Sequence, residues 1–496
     1  MHVALRHTPL QGLRTDWLVV PSWEEGWPAA AADLDRLLEG RLQRLVERGD
    51  FTGKLCELVP LFLDQEAPAP RLLLVGLGPR SDATRGTLRR AGIAAAKRIA
   101  GKAARQVDVL LPDAEGELDW PALVLGLVGG FLHGCHSPAL LKSEPGRFAP
   151  ELVQVGLASA EPPPGFDALL AKATAVGSSV NLARELVNLP PNELFPESFA
   201  QRCRGLGREF GFECEIMDER RLSAERMNTL LAVAQGSART PRVVMLSAGQ
   251  GPRTLALVGK GVTFDSGGLS LKTNEQMLDM KCDMAGAAAV VAALTAISGL
   301  SLPVRVIGLI ALVENMPSGT AMRVGDVVRT RNGKTVEVCN TDAEGRLILA
   351  DVLDYTVEHK ANHLVDLATL TGACLVALGS EIAGLFSNDD GWAGSVQAAA
   401  NRAGERVWRL PLPADYGEQL KSHVADLKNV GGKHGGAITA ALFLREFVRE
   451  TPWVHLDIAG PAFASDESPA RDAGGTGFGV ATLVELVEAY AAEKAG

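Results

Sequence analysis

The sequence predicts an α/β protein in which a smaller N-terminal domain precedes a larger C-terminal domain with a mixed, mostly parallel central sheet. Three observations support this prediction. Short apolar runs alternate with helical patterns in both halves of the chain, as they do in sheets covered by helices. The 496 residues are too many for one ordinary hydrophobic core. Residues 161–165, Glu-Pro-Pro-Pro-Gly, have the composition of a linker.

The composition is that of a soluble globular protein, with 47% apolar and 22% charged residues. The formal net charge of −10 disfavours a general binder of nucleic-acid phosphates. The seven cysteines form no Cys-x-x-Cys pair, which disfavours a thiolate zinc site and predicts a reducing, cytoplasmic location. The N-terminus lacks the profile of a signal peptide. The uncharged run 284–304 contains glycine and proline, so it predicts a buried helix, a turn and a strand and no membrane span.

In the first half of the chain, strands are predicted at residues 16–20, 71–77 and 106–111, and a basic amphipathic helix at 85–104. A long helix is predicted at 166–187 and ends before Pro190 and Pro191, because proline cannot continue a helix. We interpret this helix as a connector. The predicted boundaries are 1–165 for the N-terminal domain, 166–190 for the connecting helix and 191–496 for the C-terminal domain.

In the second half, strands are predicted at residues 254–258, 304–313, 364–368 and 454–458, and helices at 285–297, 347–360 and 437–449. A glycine-rich loop, 259–268, is expected to follow the first of these strands. Ligands of open α/β sheets bind beyond the carboxyl ends of the strands, so we expect the functional site there.

Residues 340–347, Asn-Thr-Asp-Ala-Glu-Gly-Arg-Leu, carry two carboxylates and an arginine at alternate positions. Asp342, Glu344 and Arg346 share a face only if the backbone is extended, which predicts a strand end or a loop. The apolar pattern that follows predicts a helix, whose N-terminal dipole favours negative charge.

Further polar side chains are expected near these carboxylates. Lys260 and Asp265 belong to the glycine-rich loop, Lys272 follows it, and Asp283 precedes the Ala-rich helix. Four carboxylates converging at strand ends would repel one another unless cations neutralised them. Oxygen ligands without a helical histidine pair indicate Mn²⁺, Mg²⁺ or Zn²⁺, and two such ions would acidify a bridging water molecule.

Each of these residues also has a plain structural interpretation. Asp283 alone would be a helix cap, and Asp265 would be a turn residue. Lys260 would be a solvated loop lysine, and Arg346 would be the partner of a carboxylate in an ion pair. The joint pattern favours a metal site over these separate interpretations.

Several of these stretches together resemble the leucyl (cytosol) aminopeptidase family of two-metal exopeptidases. They are residues 258–268 (Val-Gly-Lys-Gly-Val-Thr-Phe-Asp-Ser-Gly-Gly), Lys272, residues 280–284 (Met-Lys-Cys-Asp-Met) and the 340–347 stretch. The resemblance continues through residues 366–373 and 455–460 and covers most of residues 170–490. It implies that the N-terminal part is a macro-like α/β domain.

The resemblance implies a metal ligand at each of five positions. Asp265 and Glu344 would bridge two divalent ions, and Asp342 would complete one ion site. Lys260 and Asp283 would complete the other. A lysine ligand must be a neutral amine, so its pKa has to be lowered by the adjacent cation and by burial.

The resemblance also implies catalytic and substrate-binding residues. Lys272 would stay charged and stabilise the oxyanion of the tetrahedral intermediate. Arg346 would hold a bicarbonate ion that carries a proton to the leaving amine. The free α-amine of the peptide would bind a metal, and an apolar pocket would favour leucine or another apolar first residue. The residues expected to contact the substrate are Lys272, Met280, Asp283, Thr369, Leu370, Gly372, Ala459 and Ala462.

Members of the resembled family act on peptides and form homohexamers, which we expect here too. The alternative is a DNA-binding regulatory role, in addition to or instead of peptidase activity, because some relatives have one. A two-metal phosphoesterase is disfavoured because such sites usually recruit histidines, and none of the nine histidines lies in these stretches. An inactive homologue is disfavoured because all seven metal and catalytic positions hold the required residue types.

Overall fold

A computed structural model describes residues 1–27, 29–63, 69–114, 118–157 and 162–493, and the chain divides into two compact units. Unit 1 comprises Met1–Asn181 and Asp466–Ala473, and unit 2 comprises Leu182–Ser465 and Gly474–Gly496. The first residue of the predicted linker, Glu161, lies outside the described residues. The domain boundaries predicted at residues 165 and 190 stay a prediction.

Unit 1 contains six strands and the first six helices among the described residues. In chain order they are β1 (His2–Leu5), β2 (Trp17–Ser22), α1 (Ala29–Leu37), α2 (Arg41–Glu47), β3 (Leu58–Phe62), β4 (Arg71–Gly76), α3 (Arg85–Ile99), β5 (Gln106–Leu111), α4 (Trp120–Leu123), α5 (Gly129–Cys135), β6 (Leu152–Leu157) and α6 (Phe166–Asn188). A π-helical segment, Val124–Val128, joins α4 to α5. Helix α6 starts in unit 1 and ends in unit 2.

The sheet of unit 1 has the strand order β1-β6-β5-β2-β4-β3, and only β3 is antiparallel to its neighbour. Side chains alternate along each strand, so the sheet has an apolar face on each side. Trp17 and Val19 face the core under α3 and α6, whereas Leu18 and Val20 face the core under α1 and α2. This two-sided burial is typical of a parallel sheet covered by helices.

Unit 2 contains the remaining elements. They are α7 (Pro196–Phe210), β7 (Glu213–Met217), α8 (Glu219–Ala224), α9 (Asn228–Ala234), β8 (Arg242–Ala248), β9 (Thr254–Asp265), α10 (Asn274–Leu278), α11 (Ala285–Leu300), β10 (Arg305–Asn315), β11 (Val327–Arg329), β12 (Thr335–Glu337), α12 (Gly345–Glu358), β13 (His363–Ala368), α13 (Gly372–Leu378), β14 (Ala383–Ser387), α14 (Asp390–Ala403), β15 (Val407–Arg409), β16 (Leu427–Lys428), α15 (Gly436–Arg445), β17 (Trp453–Asp457), β18 (Phe463–Ala464), β19 (Gly474–Gly475) and α16 (Val480–Ala492).

The main sheet of unit 2 has the order β15-β14-β17-β13-β9-β10-β8-β7. Its central strands β17, β13, β9 and β10 are parallel, and antiparallel pairings occur on either side of them. The predicted fold class, with a smaller N-terminal part and a larger C-terminal part built on a mixed, mostly parallel sheet, is therefore confirmed. The carboxyl ends of the central strands lie at one edge, where α12 begins.

Small residues let α11 lie close to the sheet. A Cβ added to Gly259 would lie 2.6 Å from the Cα of Ala287, and one added to Gly286 would lie 2.0 Å from the carbonyl oxygen of Leu367. Only glycine permits such an approach of helix and strand backbones. The close packing fixes the start of α11, and with it Asp283, against the middle of the sheet.

Three predicted boundaries were wrong. Strand β9 continues to Asp265, so residues 259–265 are strand and not loop, because pairing with β10 outweighs the low strand preference of their glycines. Helix α3 ends at Ile99, just before Gly101, and α15 ends at Arg445. Within the described ranges, no helix combines the length and hydrophobicity needed to cross a membrane.

Candidate metal centre

A β-bulge at the end of β9 brings two predicted ligands to the same side. Lys260 and Asp265 are five residues apart, so in a regular strand their side chains would point to opposite faces. After Val262 the register with β10 shifts by one residue, which leaves Thr263 as the extra residue. The bulge reverses the alternation, and the Thr263 hydroxyl donates to the Val313 carbonyl at 3.2 Å. Lys260 and Asp265 consequently reach one cluster.

Lys260 lies at the inner end of this cluster and is almost fully buried, with 3% of its surface exposed. Its ammonium Nζ lies 2.7 Å from Asp283 Oδ1 and 2.8 Å from Glu344 Oε1, and it donates to the Thr369 carbonyl at 2.8 Å. Glu344 is the residue that precedes α12. Lys260 therefore joins β9, the start of α11, the start of α12 and the end of β13 at one point.

Lys272 lies at the outer end of the cluster. Its Nζ is 2.9 Å from Asp265 Oδ2 and also pairs with Asp342 Oδ1. The other oxygen of Asp265 accepts from the Asn315 amide at 2.8 Å and from the Gly267 backbone N–H at 2.9 Å. Asp265 is thus oriented from three sides.

The loop before α12 is held against the end of β9 by Thr341. The Thr341 hydroxyl donates to the Gly267 carbonyl at 2.7 Å and accepts from the Ser270 N–H at 2.8 Å. The Thr341 carbonyl accepts from the Asn315 amide at 3.0 Å. These contacts place Asp342, the next residue, beside Lys272.

The carboxylates fit divalent cations. Asp265, Asp342 and Glu344 each offer a ligand oxygen, and these oxygens lie within 4.8 Å of one another. Asp283 reaches the same group through Lys260. The second oxygens of Asp283 and Glu344 are buried without a hydrogen-bond partner, which is costly unless a cation or another donor satisfies them. All five predicted ligands, Lys260, Asp265, Asp283, Asp342 and Glu344, are therefore brought together.

The buried carboxylates of the centre would be stabilised in their charged form by additional positive charge. Burial raises the pKa of Asp283 well above its ordinary value, despite the attraction of Lys260. Burial and the charge of Glu344 likewise raise the pKa of Asp265. Burial lowers the pKa of Lys260, but the attraction of the surrounding carboxylates outweighs it and the pKa is raised. A neutral Lys260 therefore requires a neighbouring cation to replace its own charge.

Arg346 lies in the first turn of α12 and is buried, with 7% of its surface exposed. Its Nη1 donates to the Asn429 carbonyl at 2.9 Å, and its Nε is buried without a partner. Burial lowers the pKa of Arg346 to about 10, against the attraction of Glu344 and Asp457. The guanidinium stays positively charged at neutral pH, and its Nε–H is available to an anion.

Of the predicted substrate residues, Leu370 and Ala459 contact the carboxylate of Asp457, and Thr369 contacts Asp283. The Thr369 hydroxyl donates to Asp283 at 2.7 Å. The backbone N–H groups of Leu370 and Ala459 each donate to Asp457 Oδ1 at 3.2 Å. Asp457 thereby holds the loop after β13 and the loop after β17 together, next to the Lys260 end of the centre.

The other predicted substrate residues lie on neighbouring segments. Met280 is half-buried and begins the 3₁₀ turn Met280–Cys282, whose first carbonyl accepts from the Asp283 N–H at 3.3 Å. Gly372 is exposed and begins α13, and a Cβ added there would meet no atom within 4 Å. Ala462 is buried, with 3% exposed, and its N–H donates to the Ile458 carbonyl at 3.0 Å.

Three polar residues that the sequence interpretation missed support the centre. Asn315 and Asp457 end strands β10 and β17, so their place at the carboxyl ends of parallel strands was the signal that could have found them. Asn429 contacts the loop before α12 from 90 residues away in sequence, and nothing in the spacing marks it.

Two protein-family models match the chain. The catalytic domain of the cytosol aminopeptidase family matches residues 181–484, and the N-terminal domain of that family matches residues 19–144. The "Probable cytosol aminopeptidase" of Rhodopirellula baltica is 45% identical over 462 residues, which is 92% of this chain and 89% of that protein. The protein of the same name from Syntrophotalea carbinolica is 41% identical over 495 residues, which is 98% of this chain and 100% of that protein.

Solved structures with the same fold include a maturation enzyme and a leucine aminopeptidase. The bottromycin maturation enzyme BotP in complex with Mn is 39% identical, with a TM-score of 0.86 over 96% of this chain and 100% of that chain. A mutant of tomato leucine aminopeptidase is 35% identical, with a TM-score of 0.88 over 98% of this chain and 96% of that chain.

Proposed function

The chain belongs to the cytosol aminopeptidase family, and from that premise we propose that it removes the N-terminal residue of peptides at a centre of two divalent ions, with a preference for leucine and other apolar residues. The observation that carries the proposal is the largely buried carboxylate cluster at the end of β9 and the start of α12. Its unpartnered oxygens on Asp283 and Glu344 are placed for cations.

Five side chains would hold the ions: Lys260, Asp265, Asp283, Asp342 and Glu344. Mn²⁺ is the first choice because the related BotP structure is a complex with Mn, and Zn²⁺ and Mg²⁺ suit the same oxygen ligands. Bound divalent ions would lower the pKa of a water molecule and polarise the scissile carbonyl. Glu344 pairs with Lys260 and Asp265 pairs with Lys272, and one oxygen of each lies within 4.8 Å of the other, which suits the bridging role proposed for them.

Lys272 and Arg346 are the proposed catalytic residues. Neighbouring carboxylates outweigh burial and raise the pKa of Lys272, so its ammonium stays charged and is available to stabilise an oxyanion. Arg346 is cationic, buried and not fully hydrogen-bonded. We assign to it the binding of a bicarbonate ion, which would carry the proton to the leaving amine.

The proposed substrate is a short peptide whose first side chain lies near Met280, Thr369, Leu370, Gly372 and Ala459. Thr369 and Asp283 share a hydrogen bond, so the polar contacts and the proposed apolar pocket adjoin each other. Ala462 stabilises the loop that contains Ala459, because its N–H donates to the Ile458 carbonyl. A leucine or methionine side chain would bury its apolar surface there.

The test uses purified chain loaded with Mn²⁺. We expect hydrolysis of leucyl-p-nitroanilide and of the methionyl compound, slower hydrolysis of the glutamyl compound, and none of N-acetyl-leucyl-p-nitroanilide, because an exopeptidase needs the free amine. p-Nitrophenyl phosphate serves as the control for a phosphoesterase. Equal cleavage of the acetylated substrate would contradict the exopeptidase proposal.

We also propose a cytoplasmic homohexamer, as in the resembled family. Exposed apolar side chains on segments that border the centre support an interface there; they include Leu271, Leu278 and Val376, which are 59%, 78% and 88% exposed. Light scattering should give a mass close to six times 52.3 kDa. The alternative of DNA binding gains no support from any observation on the described residues, and the net charge of −10 disfavours it.

A further inference from the structure

Asn429 is a fully buried residue that contacts the loop before α12, which we call the metal loop and define as residues 338–344. We propose that Asn429 is a positioning residue for the reaction: its carboxamide fixes the metal loop and its carbonyl fixes Arg346. The inference rests on the proposed function for its catalytic part, whereas the loop contacts stand on geometry alone.

The Asn429 carboxamide makes hydrogen bonds to the backbone just beyond the point where the pairing of β12 with β16 ends. Strand β16 pairs in parallel with β12, and the Asn429 N–H donates to the Glu337 carbonyl at 3.0 Å. Beyond Glu337 the Asn429 side chain makes the hydrogen bonds that a paired strand would make. Asn429 Oδ1 accepts from the Cys339 N–H at 2.8 Å, and Nδ2 donates to the Asn340 carbonyl at 2.7 Å. An amide side chain offers the same acceptor and donor as a peptide group, so it substitutes for one.

The contacts reach the proposed catalytic groups in two ways. The Asn340 side-chain oxygen accepts from the Asp342 N–H at 2.9 Å, so the anchored Asn340 orients the next carboxylate. On the other side, the Asn429 carbonyl accepts from Arg346 Nη1 at 2.9 Å. Asn429 therefore fixes the position of both the metal loop and the Arg346 guanidinium.

The chemistry of the site requires an amide at position 429. Asn429→Ala would leave the part-buried Cys339 N–H without its acceptor and the Asn340 carbonyl with only the longer bond from the Ala343 N–H at 3.3 Å, which is costly. Asn429→Asp keeps the acceptor but turns a carboxylate oxygen toward the carbonyls of Asn340 and Ala343, where Nδ2 now lies at 2.7 and 3.4 Å.

Asn388 offers a matched control in the same unit. Its Oδ1 accepts from the Trp453 N–H at 2.8 Å, and its Nδ2 donates to the Thr451 carbonyl at 3.0 Å. It therefore makes the same two backbone contacts, but at the amino end of β17, whereas the centre lies at the carboxyl ends of the strands. Asn388→Ala should lower the Tm without changing the metal loop.

The first measurement is hydrogen–deuterium exchange of peptides covering residues 338–346 in chelator-treated full-length protein. We expect exchange in Asn429→Ala to be faster by about tenfold or more, and exchange in Asn388→Ala to match the wild type. The second measurement is kinetics and thermal unfolding with Mn²⁺. In Asn429→Ala we expect kcat to fall about 10- to 100-fold, and the Mn²⁺-induced rise in Tm to shrink, with both unchanged in Asn388→Ala.

The outcomes separate the two proposals. Wild-type exchange in the Asn429→Ala metal loop would overturn the positioning role, whatever the activity. A wild-type chain that cannot cleave leucyl-p-nitroanilide would instead contradict the proposed function, while the exchange comparison would still decide the loop. If Asn429→Ala does not fold, Asn429→Asp replaces it: the Cys339 amide should stay protected while kcat falls, and a wild-type kcat would overturn the inference.

Discussion

Gly345 stands directly against the side chain of Lys260. A Cβ added at Gly345 would lie 2.6 Å from Lys260 Cε and 2.8 Å from its Nζ. The lysine cannot move aside cheaply, because its ammonium is held by Asp283, Glu344 and the Thr369 carbonyl. The absence of a side chain at position 345 is therefore a condition for this arrangement of ligands.

Gly345→Ala should lower metal content and activity without unfolding the protein. Gly345 is the first residue of α12, and the better helix preference of alanine, about 1 kcal/mol, offsets only part of the clash with Lys260, so the Tm of the metal-free protein should fall moderately. Metal content is measured by elemental analysis. Gly372→Ala is the control, because its Cβ would meet open space; it should keep the metal and change only KM. Full metal content in Gly345→Ala would contradict the role assigned to Lys260.

Lys272→Ala should keep the metals and lower kcat by about 10²-fold, as expected for loss of an oxyanion stabiliser. Lys281→Ala is the matched control, because its amine donates to the Asn188 carbonyl. An unchanged kcat in Lys272→Ala would count against the catalytic assignment.

At the scale of residues, the ligand set was predictable from the sequence because its members lie within short motifs. Asp342, Glu344 and Arg346 occupy alternate positions of one stretch, and the structure gathers them with Lys260. Asn429 was not predictable, because its contacts depend on the register between two short strands far apart in the chain. The spacing of residues in the sequence does not predict the register between β12 and β16.

At the scale of elements, α12 is tied to its surroundings by Asp351. Its Oδ2 accepts from the Thr229 N–H at 2.9 Å and the Leu230 N–H at 3.2 Å, at the start of α9, and its Oδ1 accepts from the Arg331 N–H at 2.8 Å. One buried carboxylate thus satisfies three backbone donors and holds the helix that carries Glu344.

Asp351→Asn should destabilise the protein by about 1–3 kcal/mol, because the new NH₂ group faces donors that it cannot accept from. Burial raises the pKa of Asp351 to about 6 from its ordinary 3.8. The folded-state pKa lies above the unfolded value, so the stability that this group contributes is full below about pH 4 and is lost as the pH rises through about 6. The difference in Tm between wild type and Asp351→Asn should therefore be larger near pH 5 than near pH 7.5. A difference that grows with pH would contradict this assignment.

The elements themselves were largely predictable from apolar runs and helix formers, and most predicted strands and helices of unit 2 lie within a few residues of the observed ones. Residues 259–265 were the exception. Their glycines and polar side chains indicate a loop, but pairing with β10 and packing under α11 require just such small residues in a strand. Tertiary contacts outweighed local preference there.

At the scale of the whole molecule, metal removal should lower stability. Without cations, Asp265, Asp342 and Glu344 face one another across less than 4.8 Å, and their repulsion opposes folding. Adding Mn²⁺ to chelator-treated protein should raise the Tm, by the equivalent of about 2.7 kcal/mol at a hundredfold excess over Kd. Glu344→Ala should abolish activity and most of this rise. Glu358→Ala, at the other end of α12, should keep it; an equal loss in both variants would contradict the ligand assignment.

The presence of two compact units was predictable from chain length, but the path of the chain was not. Residues 466–473 belong to unit 1 although both flanking segments belong to unit 2. Within unit 1 the segment is held by the ion pairs of Asp472 with Lys97 at 2.9 Å and with Arg147 at 2.5 Å. Such long-range ion pairs leave no periodic pattern in the sequence.

Because β9 contains one extra residue at the bulge, the number of residues between Lys260 and Asp265 decides which face of the sheet Asp265 points to. Deleting one residue between Lys260 and Asp265 would restore strict alternation and turn Asp265 toward α11, while Lys260 and the strand before it would keep their places. The variant would lose a ligand even though the strand before the deletion keeps its pairing. Insertions and deletions that surface loops tolerate would therefore be forbidden across these few positions, whatever amino acids they contain.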